Sequence, residues 1–211
     1  MIRLLPLFSS IAMVAFSSGS AFGFTLVGSE LKLRTHGQST STSQLFVTSF
    51  PASAIVSEST IEFSNVASLF DPSSGVPPGF ARSLVDVSID AGADYLAIDF
   101  DNAGSNRFAR SFQNTYVFTF TSPTALQITD VSIDPSTTLG VTPDRVTFAG
   151  NELFVNVQGL SFNPNSFARV NLSGTTSGTA VPEPSTTLAL LVFGGLGGGA
   201  FFKRKGDRYS S

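Results

Sequence analysis

Across residues 24–172 apolar side chains recur at every second position in short runs, and nowhere do they keep helical spacing for ten residues. A period of two places neighbouring side chains on opposite faces of a strand, so the pattern excludes a helical core. Residues 83–90 set Val85, Val87 and Ile89 against Leu84, Asp86, Ser88 and Asp90. Residues 115–121 put Tyr116, Phe118 and Phe120 on one face and Thr115, Val117, Thr119 and Thr121 on the other. Ala168, Val170 and Leu172 oppose Phe167, Arg169 and Asn171. Leu153, Val155 and Val157 follow Gly150-Asn151, which reads as a hairpin turn after Val146-Thr147-Phe148. Less regular strand signals lie at 45–50, 59–63 and 126–133.

Turn formers separate these runs: Asp71-Pro72, Pro77-Pro78-Gly79, Asp134-Pro135 and Asn163-Pro164. Short alternating strands with frequent turns predict an all-β fold, a single β-sandwich or jelly-roll-like domain over residues 24–172. Residues 36–44 read as a polar loop, and residues 173–181 as a linker. The pentapeptide Asp-Val-Ser-Ile-Asp occurs at 86–90 and again at 130–134. Its flanks do not match, so two strands with the same solution explain it better than a duplicated half-domain.

Composition narrows the function. Only 13% of residues are charged, against about 25% in an ordinary soluble domain. Water-facing positions must therefore be filled by Ser, Thr, Asn and Gly, which suits strands better than helices. There is no cysteine to staple the fold, so stability must come from burial, with 21 Phe as its obvious material. Residues 24–181 hold 7 Lys+Arg and 13 Asp+Glu, a net of −6. Nucleic acid is excluded as a partner by that sign, since phosphate binding needs a basic footprint.

The two ends have a different logic. Arg3 precedes an apolar run over 4–16 and small residues up to Gly23, the layout of a secretory signal peptide over residues 1–23. Pro6 and the shortness of the run disfavour a spanning helix there. At the other end Pro182-Glu183-Pro184 opens an uncharged stretch over 185–202, closed by Lys203, Arg204 and Lys205. Those 18 residues as a helix reach roughly 27 Å, enough to cross a bilayer core. A basic cluster beyond such a span stays cytoplasmic. Both ends thus predict the domain outside and the tail over 203–211 inside. Gly194, Gly195, Gly198 and Gly199 have the spacing of helix-dimer faces. The plainer reading is that glycine loosens the span for processing.

Pro182-Glu183-Pro184, the apolar span and the basic tail over 182–211 resemble the PEP-CTERM sorting signal of Gram-negative bacteria. The resemblance implies an exosortase-type membrane protease that cuts near this motif, a transient stay in the inner membrane, and release or re-attachment at the cell surface or outside the cell. Phe112-Gln113-Asn114-Thr115-Tyr116 is similar, in degenerate form, to the Phe-x-Asp-x-Phe motif of one PEP-CTERM subfamily. Asn114 and Tyr116 stand where that motif has Asp and Phe.

Candidate chemistry in the middle is sparse. His36, the one histidine, reads as a loop residue. Asp99, Asp101 and Asn102 present oxygens around a turn and are the candidate metal ligands, with calcium as the matching hard cation. The plainer reading is that Asp, Asn and Gly are what a turn needs. Asp86, Asp90, Asp94, Asp99 and Asp101 offer carboxylates for glycoside hydrolysis, but nothing in the sequence fixes their separation. Arg107 and Arg110 bracket Phe108 as a small anion patch, or as charges guarding a strand edge. No catalytic residue is singled out. The sequence points to an exported, non-enzymatic structural or adhesive β domain. The alternatives are a module binding extracellular polysaccharide, with or without calcium, and a secreted hydrolase.

Overall fold

The computed structural model describes residues 23–69 and 84–177, which fall within one compact unit. The turn clusters read at 71–79, the signal peptide up to residue 22, the motif at 182–184, the span at 185–202 and the basic tail lie outside the described residues.

Eleven strands follow in order among the described residues: β1 (Glu30–Gln38), β2 (Phe46–Ile55), β3 (Ser88–Ala91), β4 (Tyr95–Asp99), β5 (Asn106–Arg107), β6 (Gln113–Thr121), β7 (Ala125–Ile133), β8 (Val146–Ala149), β9 (Glu152–Asn156), β10 (Ser161–Phe162) and β11 (Phe167–Ser177). The two helical pieces, Ala67–Leu69 and Pro143–Arg145, are single turns. The expected all-β class holds. Among the described residues no helix is long and apolar enough to cross a membrane.

One sheet has the order β2-β1-β6-β9-β8 and a second the order β3-β4-β11-β7; β10 and β5 form a small third pair. Every pairing is antiparallel. Alternation explains which residues face inward. Leu31, Leu33, Phe118, Phe120, Leu153 and Val155 of the first sheet join Ile89, Leu96, Ile98, Ile128, Val170 and Leu172 of the second in one apolar cluster. Each fully buried Phe contributes about 1.5–3 kcal/mol, and Phe100, Phe118 and Phe120 are all completely covered.

Four sequence expectations change. The strand read at 83–90 is shortened to β3, which begins at Ser88, and residues 84–87 precede it outside any strand. Residues 59–63 form no strand; a single bridge, Phe63 to Ile89, replaces the ladder. Residues 173–177 are not linker, because β11 runs on to Ser177 and pairs with β7 as far as Ala125. Its alternation is hidden there by Ser, Gly and Thr, residues chosen for a ladder and not for a core. The polar loop expected from residue 36 starts only after Gln38, since His36 and Gly37 pair with Thr115 and Asn114.

Two irregularities have local causes. Along β1 and β2 the register slips between Lys32–Ser53 and Arg34–Ser49, the interval that holds Pro51. Proline has no N–H for the ladder and is tolerated at such a bulge on an edge strand. Along β11 and β7 it slips between Ser173 and Gly174. A side chain at Gly174 would run into the Gln127 carbonyl and the Phe24 ring.

Candidate functional site

A concavity is built where the ends of β1 and β2 meet the loop preceding β3 and the segment 103–111. Its volume is about 600 Å3, inside the range of roughly 300–1,000 Å3 typical of small-ligand sites. Thr35 and Gly37 of β1, Phe46 and Thr48 of β2, and Asn114 and Tyr116 of β6 supply one wall. Aromatic rings form the floor. Phe108 lies 4.8 Å from Phe162 and 6.2 Å from Tyr116, edge-on to the latter. Phe100 and Phe118 continue this chain of rings into the core. Burial pushes the Tyr116 hydroxyl far above its ordinary pKa, so it stays protonated.

Arg107 and Arg110 stand at the rim of this cavity, both exposed. Their backbone is fixed by β5, where Arg107 pairs with Ser161, and by the Phe108 N–H donating to the Leu160 carbonyl at 2.9 Å. Gly159 N–H adds a bond to the Ala109 carbonyl at 3.2 Å. Asp86 also lines this cavity. One of its oxygens accepts from Asn65 Nδ2 at 3.1 Å; the other, Oδ1, is buried and has no hydrogen-bond partner. A buried carboxylate oxygen without a donor is rare and costly in a folded protein. Arg107 and Arg110, read as an anion patch, thus line one cavity with Asp86, which the sequence offered only among the carboxylates for glycoside hydrolysis.

The other candidates do not line this cavity. Asp99 closes β4, and its Oδ1 accepts the Asp101 N–H at 2.9 Å. Asn102 Nδ2 donates to the Ser64 carbonyl at 3.4 Å. These bonds build the turn itself. Asp90 accepts the Tyr95 hydroxyl at 2.9 Å, and Asp94 belongs to another turn, where its carbonyl accepts Leu172 N–H. Among the described residues no three His, Cys, Asp or Glu converge to hold a metal.

His36 sits on β1, half-buried, and its Nε2 accepts from Arg34 Nε at 3.3 Å. Its pKa is held below the usual value by burial first and then by the Arg34 charge, against the opposing pull of Glu152. This cluster was missed in the sequence. The alternation of Glu30, Lys32, Arg34 and His36 with Leu31 and Leu33 was the available signal.

Phe112, at the head of the degenerate subfamily motif, is 54% exposed, whereas Tyr116 is buried. Gln113 to Tyr116 of the motif lie on β6, between β1 and β9 in the five-stranded sheet, and Phe112 just precedes the strand.

No curated protein and no solved structure matches the chain. Residues 180–205 match the family model of the PEP-CTERM protein-sorting motif. The match encloses Pro182, Glu183 and Pro184 together with Lys203, Arg204 and Lys205. The chain therefore carries a PEP-CTERM sorting signal, which implies export and exosortase-dependent sorting at a membrane.

Proposed function

We propose that this protein is a surface or extracellular-matrix component of a Gram-negative bacterium, delivered by its two ends and working through a non-enzymatic β domain. The observation that carries the reading is the sorting motif at 180–205 in a chain whose first residues have the layout of a signal peptide. An apolar span fenced by prolines and cations is read by the bilayer, not by the core. The β domain suits a structural or adhesive role: two antiparallel sheets close on one core, the arrangement of a β-sandwich, and their outward positions are mostly uncharged.

Deleting residues 182–211 tests the delivery. The truncated protein should no longer reach the destination of the full chain in cells. An unchanged destination would sink the sorting half of the proposal. Mass spectrometry of the mature termini then reports where the signal peptide and the tail are cut.

A second reading, a module binding extracellular polysaccharide, is favoured by the cavity with its polar rim and aromatic floor. Glycan binding measured with and without added calcium tests it, together with the oxygen donors Asp99, Asp101 and Asn102.

A further inference from the structure

The first and last described segments of the β domain run side by side. Thr176 Oγ1 donates to the Gly23 carbonyl at 3.4 Å. The Phe24 ring packs on the core and fills the space over Gly174 of β11, where a side chain would collide with it. The turn at 93–94 fastens both segments: Leu26 N–H donates to the Ala93 carbonyl at 2.8 Å, and Leu172 N–H to the Asp94 carbonyl at 2.7 Å. Gly23, Thr25, Val27, Ser122, Thr124 and Thr176 line one small hollow at this end. The cavity that holds Arg107 and Arg110 lies at the other end of β6. That strand carries the chain about 26 Å from Asn114, which lines the cavity, to Ser122, which lines the hollow.

Chain length turns this arrangement into a constraint. β11 is paired with β7 as far as Ser177, opposite Ala125. From Ser177 to Ser185, where the uncharged stretch begins, the backbone reaches at most about 28 Å. Running back along β6 would take about 26 Å of that reach, leaving almost nothing to turn the cavity end towards a bilayer that holds residues 185–202. A chain held instead through residues 1–22 is fastened at the same end, because Gly23 lies beside Thr176.

Charge agrees with that orientation. Residues 24–181 carry 7 basic and 13 acidic groups, a net of −6, yet none of the six residues around the hollow is charged. An anionic lipid surface repels an acidic domain within a Debye length of about 10 Å, so an uncharged end is the one that costs least there. Glu30, which opposes Thr121, is paired with Lys32 at 3.2 Å. Val27, 42% exposed, adds apolar surface beside the hollow.

We propose that the end of the β domain lined by Gly23, Thr25, Val27, Ser122, Thr124 and Thr176 is the surface that faces the lipid bilayer while the chain is anchored, and that the cavity is carried on the side away from the membrane. The inference rests on the delivery reading of the two chain ends and adds which side of the domain is turned to the lipid.

Fluorescence quenching of the full chain in vesicles decides it. The chain has no cysteine, so Thr124→Cys and Ser105→Cys each take a single dye, and both positions are exposed. Thr124 lines the hollow and Ser105 the cavity. The vesicles are phosphatidylethanolamine and phosphatidylglycerol with a nitroxide-headgroup lipid as quencher. Both labelled chains should float with the vesicles. The dye at 124 should be quenched about twofold or more beyond the dye at 105, since the two ends are about 26 Å apart. The difference should survive about 1 M salt, which screens charge attraction to about 3 Å but leaves a covalent tether intact. Chains that do not float with the vesicles overturn the anchoring and the orientation together. Chains that float with equal quenching, or with the dye at 105 quenched more, overturn the orientation and leave the anchoring standing. A difference that disappears in salt overturns the tether as its cause.

Discussion

Arg34 and Glu152 meet across three strands of the larger sheet in a two-point grip. Arg34 Nη1 lies 2.8 Å from Glu152 Oε1. Its Nη2 donates to Oε2 at 2.9 Å. Thr119 sits between them, donating to Glu152 Oε1 at 3.0 Å and accepting from Arg34 Nη1 at 3.1 Å. One residue comes from each of β1, β6 and β9, so the grip ties neighbouring strands that are 118 positions apart in the chain at their extremes. Both side chains are about three-quarters covered, at 28% and 25% exposure. This geometry separates the pair from a loose surface ion pair.

Removing the charge should therefore be felt. Glu152→Gln keeps the shape and the Thr119 bond but loses the carboxylate, and should cost about 1 kcal/mol of stability in urea denaturation. Arg34→Ala should cost a similar amount, and the double variant less than the sum, because the two act as one unit. Additive losses would show that the pair contributes nothing as a pair.

The same cluster sets an acid-side pH dependence. His36 has its pKa lowered below 6.5, chiefly by burial, so the unfolded chain takes up that proton first as pH falls. Glu152 is lowered below 4.5, first by the hydrogen bond from Arg34. Both are depressed in the fold, and both contributions are present above the unfolded value and lost as pH falls through the folded one. Stability should decline in two steps, the first starting below 6.5 and the second below 4.5. Denaturation curves of His36→Gln should lack the first step and keep the second.

How far the chain could be read depended on how strictly two faces differed. Tyr116, Phe118 and Phe120 were legible because each inward position of β6 is large and apolar, and all three are buried. The hairpin at Gly150-Asn151 was legible because turn chemistry is local. β1 went unread because Leu31 and Leu33 are its only large inward residues before Thr35 and Gly37. β4 is buried at Leu96, Ala97 and Ile98 alike, which erases alternation. Aromatic content alone misjudged burial, since Phe112 and Phe148 are exposed while Phe100 is fully covered. Of the cavity only Arg107, Phe108 and Arg110 were legible, as a local run. Its other lining residues come from β1, β2, β6, β10 and the segment before β3, which only the fold brings together.

Gly150 has φ +63, and Asn151 has no positive φ, the arrangement of a two-residue type II′ hairpin loop between β8 and β9. Nothing lies within 4 Å of a Cβ placed there, so an added methyl meets strain and no clash. The turn also ties to other strands: Ile128 N–H donates to the Gly150 carbonyl at 2.8 Å, and Asn151 Nδ2 to the Phe120 carbonyl at 2.6 Å. Gly150→Ala should cost about 1–3 kcal/mol, the range for a non-glycine residue forced into this region. Asn151→Ala should cost about 1 kcal/mol through the lost bond. A Gly150→Ala midpoint in urea equal to the parent's would rule out the strained turn.

On the alkaline side the sensitive pair is Tyr95 and Asp90. The Tyr95 hydroxyl donates to Asp90 Oδ2 at 2.9 Å, and the Arg169 guanidinium lies 3.7 Å over the ring centroid. Burial first, and then the bond and charge of Asp90, push the phenol up to about 12, while Arg169 pulls the other way. A pKa raised in the fold contributes stability that is present below the unfolded value of 10.0 and lost as pH rises through about 12. Phenolate absorbance should therefore show Tyr95 ionising late in the folded protein, once Tyr209 is replaced by Phe to leave Tyr95 and the buried Tyr116. Asp90→Asn removes the negative charge and should move the first ionisation down towards 10.0, with Tyr116 unmoved because its own shift comes from burial alone. If Tyr95 titrates at its ordinary value in the parent, or if Asp90→Asn leaves it in place, the carboxylate is not what holds that proton.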